Sequence, residues 1–254
     1  MILDSFRLDG RVALVTGSTR GLGQGAAIAL AEAGADIALL DRGDASDTAD
    51  KIRALGRRVH LMRCDFVSAT PDELHAAVAE TVAELGSIDI LVNNAGTIRR
   101  APAADYAADD WRDVLAVNLD AVFHLSQAAG RRMLEQGHGR IINVASMLSF
   151  QGGVFVPAYT ASKHAVAGLT KALANEWAAS GVTVNAIAPG YMATDNTAAI
   201  RADEEREKSI IARIPAGRWG TANDLQGAFV FLASDAASYV TGATLPVDGG
   251  WLNR

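Results

Sequence analysis

Tyr159 and Lys163 stand four residues apart in Tyr159-Thr160-Ala161-Ser162-Lys163, a separation that puts both side chains on one face of a helix, one turn apart. A phenol and an ammonium so placed suit a particular chemistry. Moving a hydride between a carbinol carbon and a nicotinamide ring takes a proton on or off oxygen, so it needs an acid/base whose pKa lies near working pH. Tyrosine, at about 10, is too high without help. The charge of Lys163, with that of the oxidised nicotinamide, is expected to lower the phenol pKa by favouring phenolate. Ser146, at the end of a strand candidate, can donate a hydrogen bond to the substrate oxygen and hold it near Tyr159. Taken alone, the pair reads equally well as a half-buried ring with a wet hydroxyl beside a solvated lysine. Its weight comes from the company it keeps.

The first companion is the loop Thr16-Gly17-Ser18-Thr19-Arg20-Gly21-Leu22-Gly23, which joins the first strand candidate to the first helix candidate. Glycines let a backbone turn tightly and approach a pyrophosphate, while the first turn of a helix offers unpaired amides and a positive dipole end. Gly17, Thr19, Arg20, Gly21, Leu22 and Gly23 are therefore candidate cofactor contacts. Asp41 follows Gly23 by 18 residues, close to the roughly 20 expected of the carboxylate that accepts hydrogen bonds from an adenosine ribose. A carboxylate there favours NAD and repels the extra phosphate of NADP. Arg20 and Arg42 pull the other way, since either can grip a phosphate.

These residues need a scaffold that brings them to one edge. Short β-branched runs at Val12–Thr16, Asp36–Leu40, Val59–Arg63, Ile88–Val92, Arg140–Val144, Thr183–Ile187 and Thr244–Val247 alternate with amphipathic stretches at Leu22–Ala33, Pro71–Leu85, Asp109–Glu135 and Ala158–Ala179. That rhythm predicts an α/β fold, a doubly wound parallel sheet of Rossmann type with helices on both faces. In such a sheet ligands bind beyond the carboxyl ends of the strands. Six of the seven strand candidates end in Gly, Asn, Asp, Ser or Pro clusters: Thr16-Gly17, Asp41, Asp65, Asn93-Asn94-Ala95-Gly96, Ser146 and Pro189-Gly190. Any one is an ordinary turn. Six on one edge predict a site. No repeat or linker marks a boundary, so residues 1–254 read as one dinucleotide-binding catalytic domain, with a polar, helix-prone insert at about 191–220 that suits a lid or substrate loop.

The glycine loop, Asn93-Asn94-Ala95-Gly96, Ser146, Tyr159-x-x-x-Lys163 and Pro189-Gly190, in this order, resemble the full motif set of the short-chain dehydrogenase/reductase family. The resemblance runs from about Leu8 to the C-terminus. It implies a catalytic tetrad of Asn118, Ser146, Tyr159 and Lys163, with Asn118 supporting a water-linked proton path through Lys163. It also implies cofactor contacts from Asp65 and Phe66 at the adenine, from Asn93, Ala95 and Gly96, from Tyr159 and Lys163, from Pro189, Gly190 and Met192, and from the Thr194 hydroxyl. A homotetramer is implied too, its long helices packing against partner copies. Segments around Arg99-Arg100, Ser146–Gly153, 190–206, 214–220 and 248–252 are similar to members that act on sugar acids. They imply hydride exchange with a secondary alcohol or ketone of such an acid; gluconate 5-dehydrogenases and 3-ketoacyl reductases share most of the catalytic motifs. Arg99, close behind the fourth strand candidate, is the first choice for meeting a substrate carboxylate.

Composition narrows the partners. A formal net charge of -6 offers no basic field for a polyphosphate backbone, so nucleic acid is not expected. No apolar run reaches the roughly 18 residues of a spanning helix, and the first residues lack a basic-then-apolar leader, so a cytoplasmic enzyme without a membrane partner is expected. The lone Cys64 has no disulfide partner, and none of the five His has ligand spacing to another His or Cys, so no metal is expected.

Overall fold

The computed structural model describes the backbone of residues 1–254 and the side chains of all but residues 196 and 199. Strand β1 (Val12–Thr16) shows why the runs are apolar throughout: all five residues are buried. Ala13 and Val15 enter one core layer while Val12 and Leu14 enter the other, the alternation that a pleated strand imposes. Strands β2 (Asp36–Asp41), β3 (Val59–Arg63), β4 (Ile90–Asn93), β5 (Gly139–Val144), β6 (Val182–Pro189) and β7 (Thr244–Val247) join it in a seven-stranded sheet. The order is β3-β2-β1-β4-β5-β6-β7 and every pairing is parallel. The doubly wound parallel sheet read from the sequence is the fold found.

Helices α1 (Gly21–Glu32) and α2 (Ser46–Ala54) cover one face together with α9 (Ala222–Ala233), around Leu30, Ile52 and Phe229. On the other lie α3 (Pro71–Leu85), α5 (Ala121–Gln136) and α6 (Pro157–Trp177), around Leu74, Leu125 and Trp177. The stretch expected as one helix over Asp109–Glu135 is built in three pieces: α4 (Ala108–Leu115), a π-helical turn over 116–120, and α5. The fourth strand starts at Ile90 rather than Ile88. Asp89 just before it adds a side-chain bond to its backbone ones, its carboxylate accepting the Val12 amide at 2.8 Å while its amide donates to the Val12 carbonyl at 2.9 Å. The 191–220 segment carries α7 (Ala198–Arg201) and α8 (Glu204–Arg213), the latter capped by the Asp203 carboxylate, which accepts the Arg206 amide. As β1 lies between β2 and β4, the strand order reverses beside it, and a crevice opens over its carboxyl end.

Candidate active site

The crevice is a cleft of about 700 Å³, and its walls bring the sequence clusters together. Gly17, Thr19, Arg20, Gly21, Leu22, Gly23, Asp41, Asp65, Phe66, Ala95, Gly96, Arg99, Tyr159, Lys163 and Thr194 all line it. At its floor the Thr16 hydroxyl accepts the amides of Asn94 and Ala95 at 3.0 and 2.9 Å. The Asn94 side-chain amide in turn donates to the carbonyls of Thr16 and Gly17, both at 2.9 Å. Asn94 thus ties the glycine loop to the end of β4. A Cβ on Gly23 would stand 2.0 Å from the Gly17 carbonyl oxygen and 2.4 Å from Asn94 Nδ2, so only glycine allows the loop to fold this closely. Arg20 precedes α1 without a side-chain cap, which leaves the amides of its first turn for a ligand. A backbone cradle at a helix N-terminus fits the pyrophosphate of a dinucleotide.

Asp41, buried at the end of β2, marks the other end of that fit. Its carboxylate oxygens accept the amides of Thr19 and Gly43, each at 3.0 Å, which fixes it against the glycine loop. Asp65 accepts the Val67 amide at 3.1 Å and so holds its own turn while lining the cleft.

Of the residues expected to form the tetrad, Tyr159 and Lys163 line the cleft, whereas Asn118 and Ser146 are buried and are not part of its wall. Ser146 lies close enough to the Tyr159 hydroxyl to favour its phenolate, and its Oγ accepts the Leu148 amide at 3.1 Å. Lys163 Nζ lies 5.6 Å from the centre of the Tyr159 ring and donates to the Val144 carbonyl at 2.6 Å. Asn118 sits in the π-helical turn, fully buried. Its Oδ1 accepts the Thr97 amide at 2.8 Å, and its Nδ2 donates to the Thr97 carbonyl at 3.0 Å and to Ser162 Oγ at 3.2 Å. It therefore clamps the loop after β4 onto α6.

Burial dominates the electrostatics here. It raises the Tyr159 phenol above its ordinary value, against nearby Ser146 and the charge of Arg100. Burial also lowers the Lys163 ammonium to about 8. In the protein without a bound nicotinamide, desolvation outweighs the opposing influences on the phenol, which come from Ser146 and Arg100.

Several residues are placed elsewhere. The Asn93 amide donates to Ser126 and Asn143 in a buried chain that continues to Thr170, and Asn93 is not part of the cleft wall. Pro189, Gly190 and Met192 stand behind the wall: a Cβ on Gly190 would meet the Asp248 backbone, and Met192 is buried. Arg99 lines the cleft, but its guanidinium pairs with Asp110 and Asp113 of α4 at 3.4 and 3.7 Å. Arg218 is held by Asp224. Thr97 and Ser149, whose hydroxyl donates to the Lys163 carbonyl, were not singled out in the sequence, where a lone hydroxyl has no spacing signal. Among the described residues, no group of three or more His, Cys, Asp or Glu is placed to hold a metal ion.

Comparisons with known proteins agree with this geometry. A family model described as enoyl-(acyl carrier protein) reductase matches residues 17–252. The 2-dehydro-3-deoxy-D-gluconate 5-dehydrogenase of Bacillus subtilis (strain 168) is 56% identical over 252 residues, covering 99% of this chain and 98% of the relative. That of Dickeya dadantii (strain 3937) is 55% identical over 256 residues, covering 100% of both. A crystal structure of a gluconate 5-dehydrogenase from Burkholderia cenocepacia J2315, in complex with NADP and tartrate, matches with a TM-score of 0.95 at 44% identity and covers 100% of both chains.

Proposed function

The chain belongs to the short-chain dehydrogenase/reductase family, and on that premise we propose that it interconverts a secondary alcohol and a ketone on a sugar acid, 2-dehydro-3-deoxy-D-gluconate or 2-deoxy-D-gluconate, using NAD in preference to NADP. It is an oxidoreductase acting on CH–OH groups with a nicotinamide cofactor. The observation that carries the reading is Tyr159 with Lys163 Nζ beneath its ring, both lining the same cleft as the glycine cradle.

The cofactor, when bound, gives or takes the hydride. The protein handles the proton and the substrate. Ser146 donates a hydrogen bond to the substrate oxygen, and Tyr159 passes its proton to that oxygen in reduction and takes it back in oxidation. Lys163, fixed by the Val144 carbonyl, keeps a positive charge below the phenol up to about pH 8. Asn118 holds the Thr97 loop, which lines the cleft, against α6. Asp41, fixed by two amides, supports the preference for NAD. A substrate carboxylate is assigned to the loop bearing Arg99 and Arg100. Arg99 lines the cleft and the charge of Arg100 reaches Tyr159.

We read residues 1–254 as one catalytic domain that assembles as a cytoplasmic homotetramer. Trp111 and Phe123 on α4 and α5, 39% and 38% exposed, are apolar surface that a second copy would cover. Gluconate 5-dehydrogenase is the second reading, supported by the structural match over the whole chain.

A panel of sugar acids and ketoacyl thioesters, followed through reduced nicotinamide absorbance with NADH and NADPH, tests this. The two deoxy sugar acids are expected to give the highest kcat/KM. A thioester or plain gluconate pair that outruns them overturns the substrate assignment. Arg99→Ala and Arg100→Ala, made separately, should raise KM for the acid far more than for its uncharged analogue. If neither variant separates the two, the anion site lies off this loop.

A further inference from the structure

Arg20, in the glycine loop, points its guanidinium across the mouth of the cofactor cleft to Asp195, at the start of the segment after β6, with Nη1 3.0 Å from Oδ2. Both residues line the cleft. The contact joins two walls of the cleft, and beside it a Cβ on Gly21 would find only the Thr194 methyl, at 3.9 Å. Thr194 continues the link inward, because its carbonyl accepts a hydrogen bond from Arg201 of α7 at 3.1 Å. A change at Arg20 is therefore felt at Asp195 and, through the adjoining Thr194, at Arg201.

Asp41 stands on the same side as Arg20, since its carboxylate accepts the amide of the neighbouring Thr19. A ribose bound at Asp41 would carry its 2′-substituent into the region that Arg20 can reach. A guanidinium satisfies a phosphate with a planar fork of donors, and a phosphate brings more charge than a carboxylate. A 2′-phosphate and Asp195 would thus compete for one cation.

We propose that Asp195 is a specificity-determining residue for the cofactor. By occupying Arg20 it withholds one of the two cations, Arg20 and Arg42, that a 2′-phosphate could use, and a 2′-phosphate that wins Arg20 unfastens the 194–201 segment from the glycine loop. NAD leaves the fastening in place. The inference rests on the reading of Asp41 as the ribose acceptor and deepens it: the carboxylate that repels the phosphate and the carboxylate that removes one counter-charge lie on opposite walls of the cleft. The pair is exposed, 76% and 69% at the side chains, so its effect is modest in size and sensitive to salt.

Fluorescence titration of NADH and NADPH onto the intact protein, without substrate, tests it. Asp195→Asn keeps the shape and removes the charge. It should tighten NADPH by about two- to fivefold, the range of an exposed ion pair, and leave NADH within about twofold. In an Arg20→Gln background the same substitution should change neither. Hydrogen exchange gives a second readout: NADPH should leave the amides of 194–201 exchanging faster than NADH does in the parent protein. The proposal falls if Asp195→Asn moves both cofactors alike or neither, or if its NADPH gain survives in Arg20→Gln. It falls equally if both cofactors protect 194–201 to the same degree. Asp41→Ser separates the two layers: it should weaken NADH and improve NADPH. If that ratio is unchanged the ribose reading itself fails, whereas a changed ratio with an inert Asp195→Asn removes only the role of Asp195.

Discussion

At the scale of single residues the chemistry turns on one oxygen atom. Tyr159→Phe keeps the ring that Lys163 Nζ approaches at 5.6 Å and deletes the hydroxyl beside Ser146. Turnover should fall by roughly 10² to 10⁴, the usual worth of general acid/base help, while cofactor affinity in a binding titration stays put. A variant that keeps more than about a tenth of the parent rate, with chemistry limiting, would move the proton transfer elsewhere. The i, i+4 spacing of Tyr159 and Lys163 made this pair legible in the sequence, because a helix has few ways to place two such residues. The direction of the phenol shift was not legible. Desolvation depends on what the fold packs around the ring, and the residues that share its cleft, from Gly17 to Asp195, are far apart in the chain. The same limit applied to Arg99: its place beside the cleft was readable, but its partners Asp110 and Asp113 are brought to it by α4.

At the scale of elements, the cradle is a contact between the β1–α1 loop and the end of β4. Gly23→Ala pushes a methyl group into the Gly17 carbonyl and the Asn94 amide. Overpacking of this kind costs about 1–3 kcal/mol, and here the strain falls on the pyrophosphate site. Cofactor affinity should drop and the thermal midpoint should fall; calorimetry with and without NADH reads both, and an unchanged affinity would place the pyrophosphate off this loop. Most of the strands were readable because each is a short buried run ended by a turn-former, as β1 is by Thr16-Gly17. The break in the helix over 109–135 was not. A π-helical turn adds a residue without changing composition, and what selects it is a tertiary contact, the three hydrogen bonds from Asn118 to Thr97 and Ser162. Asn93 misled for a similar reason. Neighbours in sequence point to opposite faces of a strand end, so Asn94 meets the glycine loop while Asn93 turns to Ser126 and Asn143.

At the scale of the whole molecule, the sheet has a second charged edge opposite the cleft. There Arg140 reaches the carbonyls of Ser234, at the carboxyl end of α9, and of Gly181, at the end of the 3-10 turn that follows α6, and pairs with Asp235. Helix carboxyl ends favour cations, which accounts for the arginine. Asp89 is the anionic member. Burial works against its charge, yet His138 at 2.6 Å, Ser87 and the Val12 amide together hold its carboxyl below the usual 3.8. A carboxyl with a depressed folded pKa stabilises above its unfolded pKa and loses that contribution as pH falls through the folded value. Asp89→Asn should therefore cost about 1.5–3 kcal/mol at pH 7, the range for hydrogen bonds to a charged group, and much less near pH 3. Denaturant unfolding at both values checks it; equal losses would mean that shape, not charge, is what Asp89 provides. The tie between Asn94 and Gly17 also has a consequence in time. It spans 77 residues, and Asp195 is about a hundred residues beyond it. At roughly 5–20 residues per second of synthesis, the cradle can close roughly 5–20 seconds before the residue that reaches back to Arg20 is made. During the first part of that interval β4 is an unpaired edge, because its neighbour β5 begins only at Gly139. A nascent chain is thus most open to mispairing with another at Ile90–Asn93, after its phosphate site has formed and before its sheet is complete.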